Sequence, residues 1–198
     1  MDRVKAAIFS SLGDAVIGAR VLDLFAGSGG LGIEALSRGA SSAVFVENDR
    51  QSVEAIDANL AKTKLNGRVR HQDVFDFLHY AAGVEATVPA AGRLAQAPPQ
   101  QQIIEKFTII FADPPYEKAE AVESFTEKLL TNEALPQLLE TDGIFVLEKR
   151  PDEVLPEMKL WRMVRRKRYG ATEVLLVSAV RKEFTRRSLG EGGQTAIQ

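Results

Sequence analysis

Asp113, Pro114, Pro115 and Tyr116 are the residues whose types and order most directly suggest chemistry. Each proline fixes φ near about −65° and brings no amide donor, so the Asp113 carboxylate and the Pro114 carbonyl form a rigid pair of acceptors. Such a pair suits an exocyclic amino group. An aromatic amine is a poor nucleophile because its lone pair is delocalised into the ring; two acceptors holding its hydrogens localise that lone pair toward an electrophile. Tyr116 adds a face on which a base can stack, a contact worth about 1–3 kcal/mol. The four residues alone read equally well as an acid-capped turn, and the surrounding motifs decide between the two.

The run before them, Phe107 to Ala112, is apolar or β-branched throughout and reads as a strand buried on both faces, ended by the double proline. The carboxylate therefore stands at the carboxyl end of a central strand, where open α/β sheets bind ligands. Around it the chain alternates. A first helix covers Asp2 to Leu12, a strand Arg20 to Phe25, and a glycine turn leads into a helix that stops at Gly39. A strand from Ser42 to Glu47, a helix from about Arg50 to Lys64, a strand from Arg68 to Gln72 and a brief helix from Val74 follow. Beyond the central strand come a helix over Ala119 to Leu130, a short one near Leu135, a strand over Ile144 to Glu148, and two strands, Lys159 to Tyr169 and Thr172 to Val180, joined at Gly170. This predicts an α/β fold: a doubly wound, mostly parallel seven-stranded sheet with a C-terminal antiparallel hairpin, in one domain over residues 1–180. Residues 83–105, rich in Pro, Gln and Ala, read as an insertion loop, and 181–198 as a disordered tail.

Asp23, Gly27, Gly29 and Gly32 follow a strand and open a helix, and Glu47 ends the next strand. This satisfies the Gly-x-Gly-x-x-Gly dinucleotide fingerprint, so an NAD-dependent oxidoreductase is one reading. The glycines require only that something approach the backbone closely, and Glu47 only that two vicinal ribose hydroxyls be held. Two acids separate the possibilities. Asp23 would face a diphosphate unfavourably but suits the ammonium group of S-adenosylmethionine, a cationic cofactor without phosphate. Asp73, after the third strand, can accept from an adenine amino group with the Val74 backbone beside the ring. With Asp113 they make an acidic rim that favours the sulfonium cofactor.

The composition narrows the field further. The chain has 198 residues, 45% of them hydrophobic, with no stretch resembling a membrane span or a secretory signal. No cysteine and two histidines exclude a disulfide framework and a thiol nucleophile and argue against a metal centre, and the cytoplasm is the expected compartment. A net charge of −2 confines nucleic-acid contact to a local patch. One exists: six basic residues and no acid lie between Lys159 and Arg168. Arg162, Arg165, Arg166, Lys167 and Arg168 are the candidate phosphate track, although alternating Arg and apolar residues also describe an ordinary edge strand.

Taken together, Asp23-Leu24-Phe25-Ala26-Gly27-Ser28-Gly29, Glu47, Asp73 and Asp113-Pro114-Pro115-Tyr116 resemble an amino-methylating, class I, Rossmann-like methyltransferase. The first helix, the run from Gly32 to Ala40, and Arg168-Tyr169-Gly170 narrow the resemblance to the bacterial RsmD type, which methylates a guanine N2 amine in 16S ribosomal RNA. The resemblance covers residues 2–180. It implies S-adenosylmethionine as cofactor, with Asp23, Gly27 and Gly29 around its methionine part, Glu47 on the ribose, and Asn48, Asp73 and Val74 at the adenine. It places Asp113 to Tyr116 on the target base. The implied partner is 16S ribosomal RNA or the assembling small subunit, met by a monomer without metal. Family members usually begin with a basic hairpin, and this chain starts just after it, which implies a shortened protein or a reduced RNA grip. The 83–105 insertion is longer than the family pattern. A DNA adenine-N6 methyltransferase shares the amine chemistry and is the nearest alternative.

Overall fold

The computed structural model describes residues 2–81, 105–115 and 123–181. Tyr116, nearly all of the expected insertion and the tail from residue 182 lie outside the described residues.

Seven strands form one sheet: β1 (Arg20–Leu24), β2 (Ser42–Glu47), β3 (Arg68–His71), β4 (Phe107–Ala112), β5 (Leu139–Lys149), β6 (Trp161–Tyr169) and β7 (Thr172–Ala179), in the order β3-β2-β1-β4-β5-β7-β6. The first five run parallel, and β7 pairs antiparallel with β5 on one side and β6 on the other. The helices are α1 (Asp2–Leu12), α2 (Gly30–Ser37), α3 (Arg50–Thr63), α4 (Val74–Ala81), α5 (Phe125–Thr131) and α6 (Leu135–Leu138). Among the described residues no helix is long and apolar enough to cross a membrane. The strand order reverses between β1 and β4, and the loops that leave these neighbours part there.

The central strands are apolar on both faces because both faces are covered. Val21, Phe45, Ile109, Phe111 and Val146 pack under α1, α2 and α3 through Ile8, Phe9, Ala35 and Ile56. On the opposite face Leu22, Leu24, Ile110, Phe145 and Leu147 meet α4, α5 and α6 through Leu78, Leu129 and Leu135. Asp23 interrupts this pattern. It sits in register with Phe45 and Phe111, yet is only 2% exposed. Trp161 is core: its indole N–H donates to the Leu130 carbonyl at 2.9 Å and its ring lies 5.2 Å from that of Phe145.

Among the boundaries that differ from the sequence expectation, three do so for a clear local reason. β1 stops at Leu24 because Phe25 takes φ 55° and turns the chain out of the sheet. β5 begins at Leu139, not Ile144, because α6 runs straight into it, with a register shift opposite Phe107 and Ile109. The helix expected from Ala119 is described only from Phe125, capped by Ser124, whose hydroxyl accepts the Glu127 N–H at 3.1 Å.

Gly32 has no room for a side chain: a Cβ there would lie 2.3 Å from the Phe45 ring. At Gly30, two residues earlier, nothing lies within 4 Å. Gly32→Ala should lower the urea midpoint by the equivalent of about 1–3 kcal/mol through overpacking, whereas Gly30→Ala should be neutral or stabilising by up to about 1 kcal/mol. Equal effects of the two substitutions would refute the packing assignment.

Candidate active site

The carboxyl ends of β1, β2, β4 and β5 make one crest. After β1 the chain turns sharply: Phe25, Gly27 and Gly29 have φ of 55°, 54° and 82°. For glycine this conformation is free; for a phenylalanine it costs about 1–2 kcal/mol. The Phe25 ring is held by contacts with Phe125 at 5.3 Å and Phe75 at 6.2 Å, and those two rings stack on each other at 6.0 Å. The aromatic group thus ties the turn to the starts of α4 and α5.

Two carboxylates clamp the turn from below and beside. Asp23 Oδ2 accepts the Gly32 N–H at 2.7 Å, drawing the first turn of α2 onto β1. Glu47 Oε2 accepts the Gly27 N–H at 2.8 Å, while Oε1 accepts the Asn48 and Asp49 N–H groups, both at 2.9 Å. From α3, the Asn59 amide donates to the Ser28 carbonyl at 3.0 Å. Asp73 caps α4, with Oδ1 accepting from Phe75 and Asp76; Val74 is buried and the Asn48 side chain is exposed. His71 meets the Asn48 carbonyl at 3.0 Å.

Across the switch point, Asp113 is half-buried, Pro114 buried and Pro115 exposed. The prolines line an open pocket of about 270 Å³ together with Phe125, Glu148, Arg150 and Glu153. Glu148 was read from the sequence only as the last residue of a strand. Its signal was available, since the strand expected over Ile144 to Glu148 stops in an acid as β2 does, but its adjacency to Asp113 requires the β4–β5 register, in which Ala112 lies opposite Leu147.

These acids feel burial and one another. Burial pushes Asp23 up to about 8, opposed by the Gly32 N–H and reinforced by Asp113, Glu47 and Glu148. Glu148 is pushed up to about 7 by burial and then by Asp113, and Asp113 is raised by burial. A cation placed on the crest would relieve all three.

The basic residues divide along β6. Arg168 lies in register with Glu173, and Glu173 with Lys149, so Arg166, Lys167 and Arg168 end about 10 Å from β5 on the crest side. Arg162 lies about 20 Å back along the strand. Three of the group are engaged within the protein: Arg165 donates to the Ser11 hydroxyl at 3.1 Å, Arg166 to Glu173 Oε1 at 2.9 Å, and Arg168 through Nε to the Gly170 carbonyl at 3.1 Å. Glu173 is also paired with buried Lys149 at 3.1 Å, and Lys167 sits 5.3 Å above the Tyr169 ring.

A cationic, phosphate-free adenosine cofactor fits these residues. A Cβ at Gly27 would meet nothing within 4 Å, leaving open backbone at the turn, and the surrounding side chains are acceptors. Sheet order, glycine turn, acidic crest and Asp-Pro-Pro loop together define a Rossmann-like, class I methyltransferase. The chain belongs to the family described as conserved hypothetical protein 95, whose model matches residues 1–178; this is the RsmD type of the resemblance. YlbH of Bacillus subtilis, a candidate rRNA methyltransferase, is 37% identical over 178 residues, 88% of this chain and 84% of the relative. Ribosomal RNA small subunit methyltransferase D of Haemophilus influenzae is 28% identical over 172 residues, 85% of this chain and 76% of the relative. The solved structure of yhhF from Escherichia coli, a candidate methyltransferase, superposes with a TM-score of 0.63 at 27% identity, covering 90% of this chain and 85% of that one.

Because the folded pKa of Asp23 is raised, its protonated form is the one the fold favours. The carboxyl costs nothing below its ordinary value of 3.8, and the penalty grows until the pH passes about 8. Asp23→Asn keeps an acceptor for Gly32 and removes the charge. The variant should match the parent near pH 4 and exceed it by about 1–3 kcal/mol at pH 8 in urea unfolding. A difference that does not change with pH would refute the assignment.

Proposed function

We propose that the protein uses S-adenosylmethionine to methylate the exocyclic N2 amine of a guanine in 16S ribosomal RNA, free or within the assembling small subunit. The reading is of a single domain over residues 1–180, acting as a cytoplasmic monomer without a metal. The observation that carries it is the meeting at one switch point of an acid-clamped glycine turn and the Asp113-Pro114 acceptor pair, in a chain whose relatives bear ribosomal RNA methyltransferase names.

When bound, the cofactor supplies an electrophilic methyl group on a positively charged sulfur. Gly27 and Gly29 would let it approach the turn, Asp23 and the rest of the crest would favour its positive charge, and Glu47 would face the ribose hydroxyls. Asn48, Asp73 and Val74 would border the adenine. Asp113 and the Pro114 carbonyl would hold the two hydrogens of the target amine, with Tyr116 as the stacking face for its ring. Transfer would form the N–C bond as the methyl–sulfur bond breaks, leaving neutral S-adenosylhomocysteine, and Asp113 would act as the acceptor for the amine hydrogens, one of which leaves as a proton. Catalysis is mainly positioning, since the electrophile arrives already activated. The nicotinamide reading is disfavoured by the same crest, where a diphosphate would meet like charge.

The RNA would cross the basic end of β6. Extruding a paired guanine costs a few kcal/mol, which a looped or single-stranded target avoids. Lys167→Ala with Arg168→Ala should weaken RNA binding and reduce the slope of log K against log salt by about one to two. An unchanged slope would remove these residues from the track.

The decisive assay follows labelled methyl from S-adenosylmethionine into small subunits lacking the mark, naked 16S RNA and duplex DNA, with nuclease mapping of the product. Label should appear at one guanine N2 in RNA; label confined to DNA adenine would sink the proposal. In the same assay Asp113→Ala should lose at least about a hundredfold in transfer while binding the cofactor within about threefold of the parent. Loss of cofactor binding would contradict its role.

A further inference from the structure

We infer that Glu148 selects the target base, by accepting the ring N1–H of guanine while Asp113 and the Pro114 carbonyl hold the N2 amine beside it. The inference rests on the guanine-N2 reading and adds the residue that makes the enzyme specific for guanine.

Geometry comes first. β4 and β5 are parallel, with Ala112 opposite Leu147, so the next residues, Asp113 and Glu148, are neighbours across adjacent strands, about 4.8 Å apart. Glu148 lines the pocket with Pro114, Pro115 and Phe125, so a base whose amine reached Asp113 would turn its adjacent ring atom toward it. In guanine one of the two ring nitrogens flanking the amine is a second donor, N1–H, and that edge is the one Glu148 would meet. In adenine and cytosine the ring nitrogen beside the amine is an acceptor. Two adjacent carboxyl acceptors therefore match guanine and oppose the other two amine-bearing bases.

The state of the side chain points the same way. Among the described residues the Glu148 carboxyl takes no hydrogen bond and no ion pair, whereas the charged residues beyond it are engaged: Lys149 with Glu173, and Arg150 with Glu153. Its oxygens are not sealed off; the Glu173 oxygen is the buried side-chain atom without a hydrogen bond. A half-buried acid kept beside Asp113 costs the fold and, among the described residues, gives it no bond. The charged groups around it are Asp113 after β4, Asp23 on β1, Lys149, Arg150 and Glu153 beyond its own strand, Glu173 on β7, and the amino-terminal charge of the chain, which lowers its pKa against burial and Asp113. Burial and Asp113 raise its pKa to about 7, so a donor such as N1–H would both be bound by the ionised carboxylate and keep it ionised.

The test replaces the mapped target guanine by 2,6-diaminopurine, which keeps the N2 amine but carries an acceptor at N1. Transfer to the two bases is compared for the parent and for Glu148→Gln, whose amide can donate as well as accept. The parent should prefer guanine by at least about a hundredfold in kcat/KM, because a site built around a hydrogen bond rejects an analogue that cannot make it. In Glu148→Gln the preference should fall below about tenfold, mainly through loss on guanine, with a Tm no lower than the parent's and S-adenosylmethionine affinity reduced by no more than about threefold, as loss of one crest charge allows. Equal use of both bases by the parent, or an undiminished preference in the variant, would overturn the inference. Should Glu148→Gln fail to fold, the same comparison in Glu148→Ala decides, because the analogue also replaces O6 by an amino group and the parent's ratio alone does not isolate N1–H. Absence of transfer to any guanine by the parent would instead refute the underlying function.

Discussion

Asp23 accepting the Gly32 N–H is the contact on which the crest depends. It joins the carboxyl end of β1 to the first turn of α2, where the exposed N–H groups of a helix favour negative charge. Because the Phe45 ring fills the space where a Cβ would stand at Gly32, helix and strand approach closely enough for the bond. The residues between them must then turn within a few positions, and they do so with left-handed backbone at Phe25, Gly27 and Gly29. The open backbone that a cofactor can approach is a consequence of this closure.

The same contact carries an electrostatic cost. Asp23 is desolvated and shares the crest with Asp113, Glu47 and Glu148, each of which raises its pKa further. Near neutral pH the fold alone favours the protonated acid; a cation on the crest favours the ionised one. Charge at the site is therefore coupled to ligand in a way that an apolar or hydrogen-bonded neutral pocket could not be. About 10 Å away across the sheet, the end of β6 presents Lys167 and Arg168. The two fields have opposite sign, as a cationic cofactor and a polyanionic substrate would require, and the Lys149–Glu173–Arg166 chain lies between them.

What the sequence made legible were residues whose role depends on their own strand. Asp113 is announced by an apolar run ended by two prolines, and Glu47 by a strand that stops in an acid; both stand at the crest as read. Seven strands and their order class were legible for the same reason, since each buried strand is bounded by turn residues. What could not be read depends on register between distant segments. Glu148 becomes Asp113's neighbour only once β4 and β5 are paired, and Phe25, Phe75 and Phe125 meet only when three loops converge. Likewise the basic run on β6 looks uniform in sequence, but Ser11 on α1 and Glu173 on β7 engage two of its members. Asp23 was read as facing a ligand, and its bond to Gly32 became visible only when α2 was laid against β1.

The topology also explains why the two halves of the chemistry must meet where they do. β1 and β4 are adjacent and parallel, yet the chain leaves them toward opposite faces, β1 into α2 and β4 toward α5. A crevice opens between the diverging loops without any strand being spared from the sheet. One wall is the glycine turn, shaped by Asp23 and Glu47; the other is Asp113 with Pro114, stiffened by a ring that cannot rotate about φ. An amine held on one wall would face an electrophile held on the other. Glu148 belongs to this arrangement because β5 is the next strand beyond β4: any group added there reads the part of the base that lies next to the reacting amine.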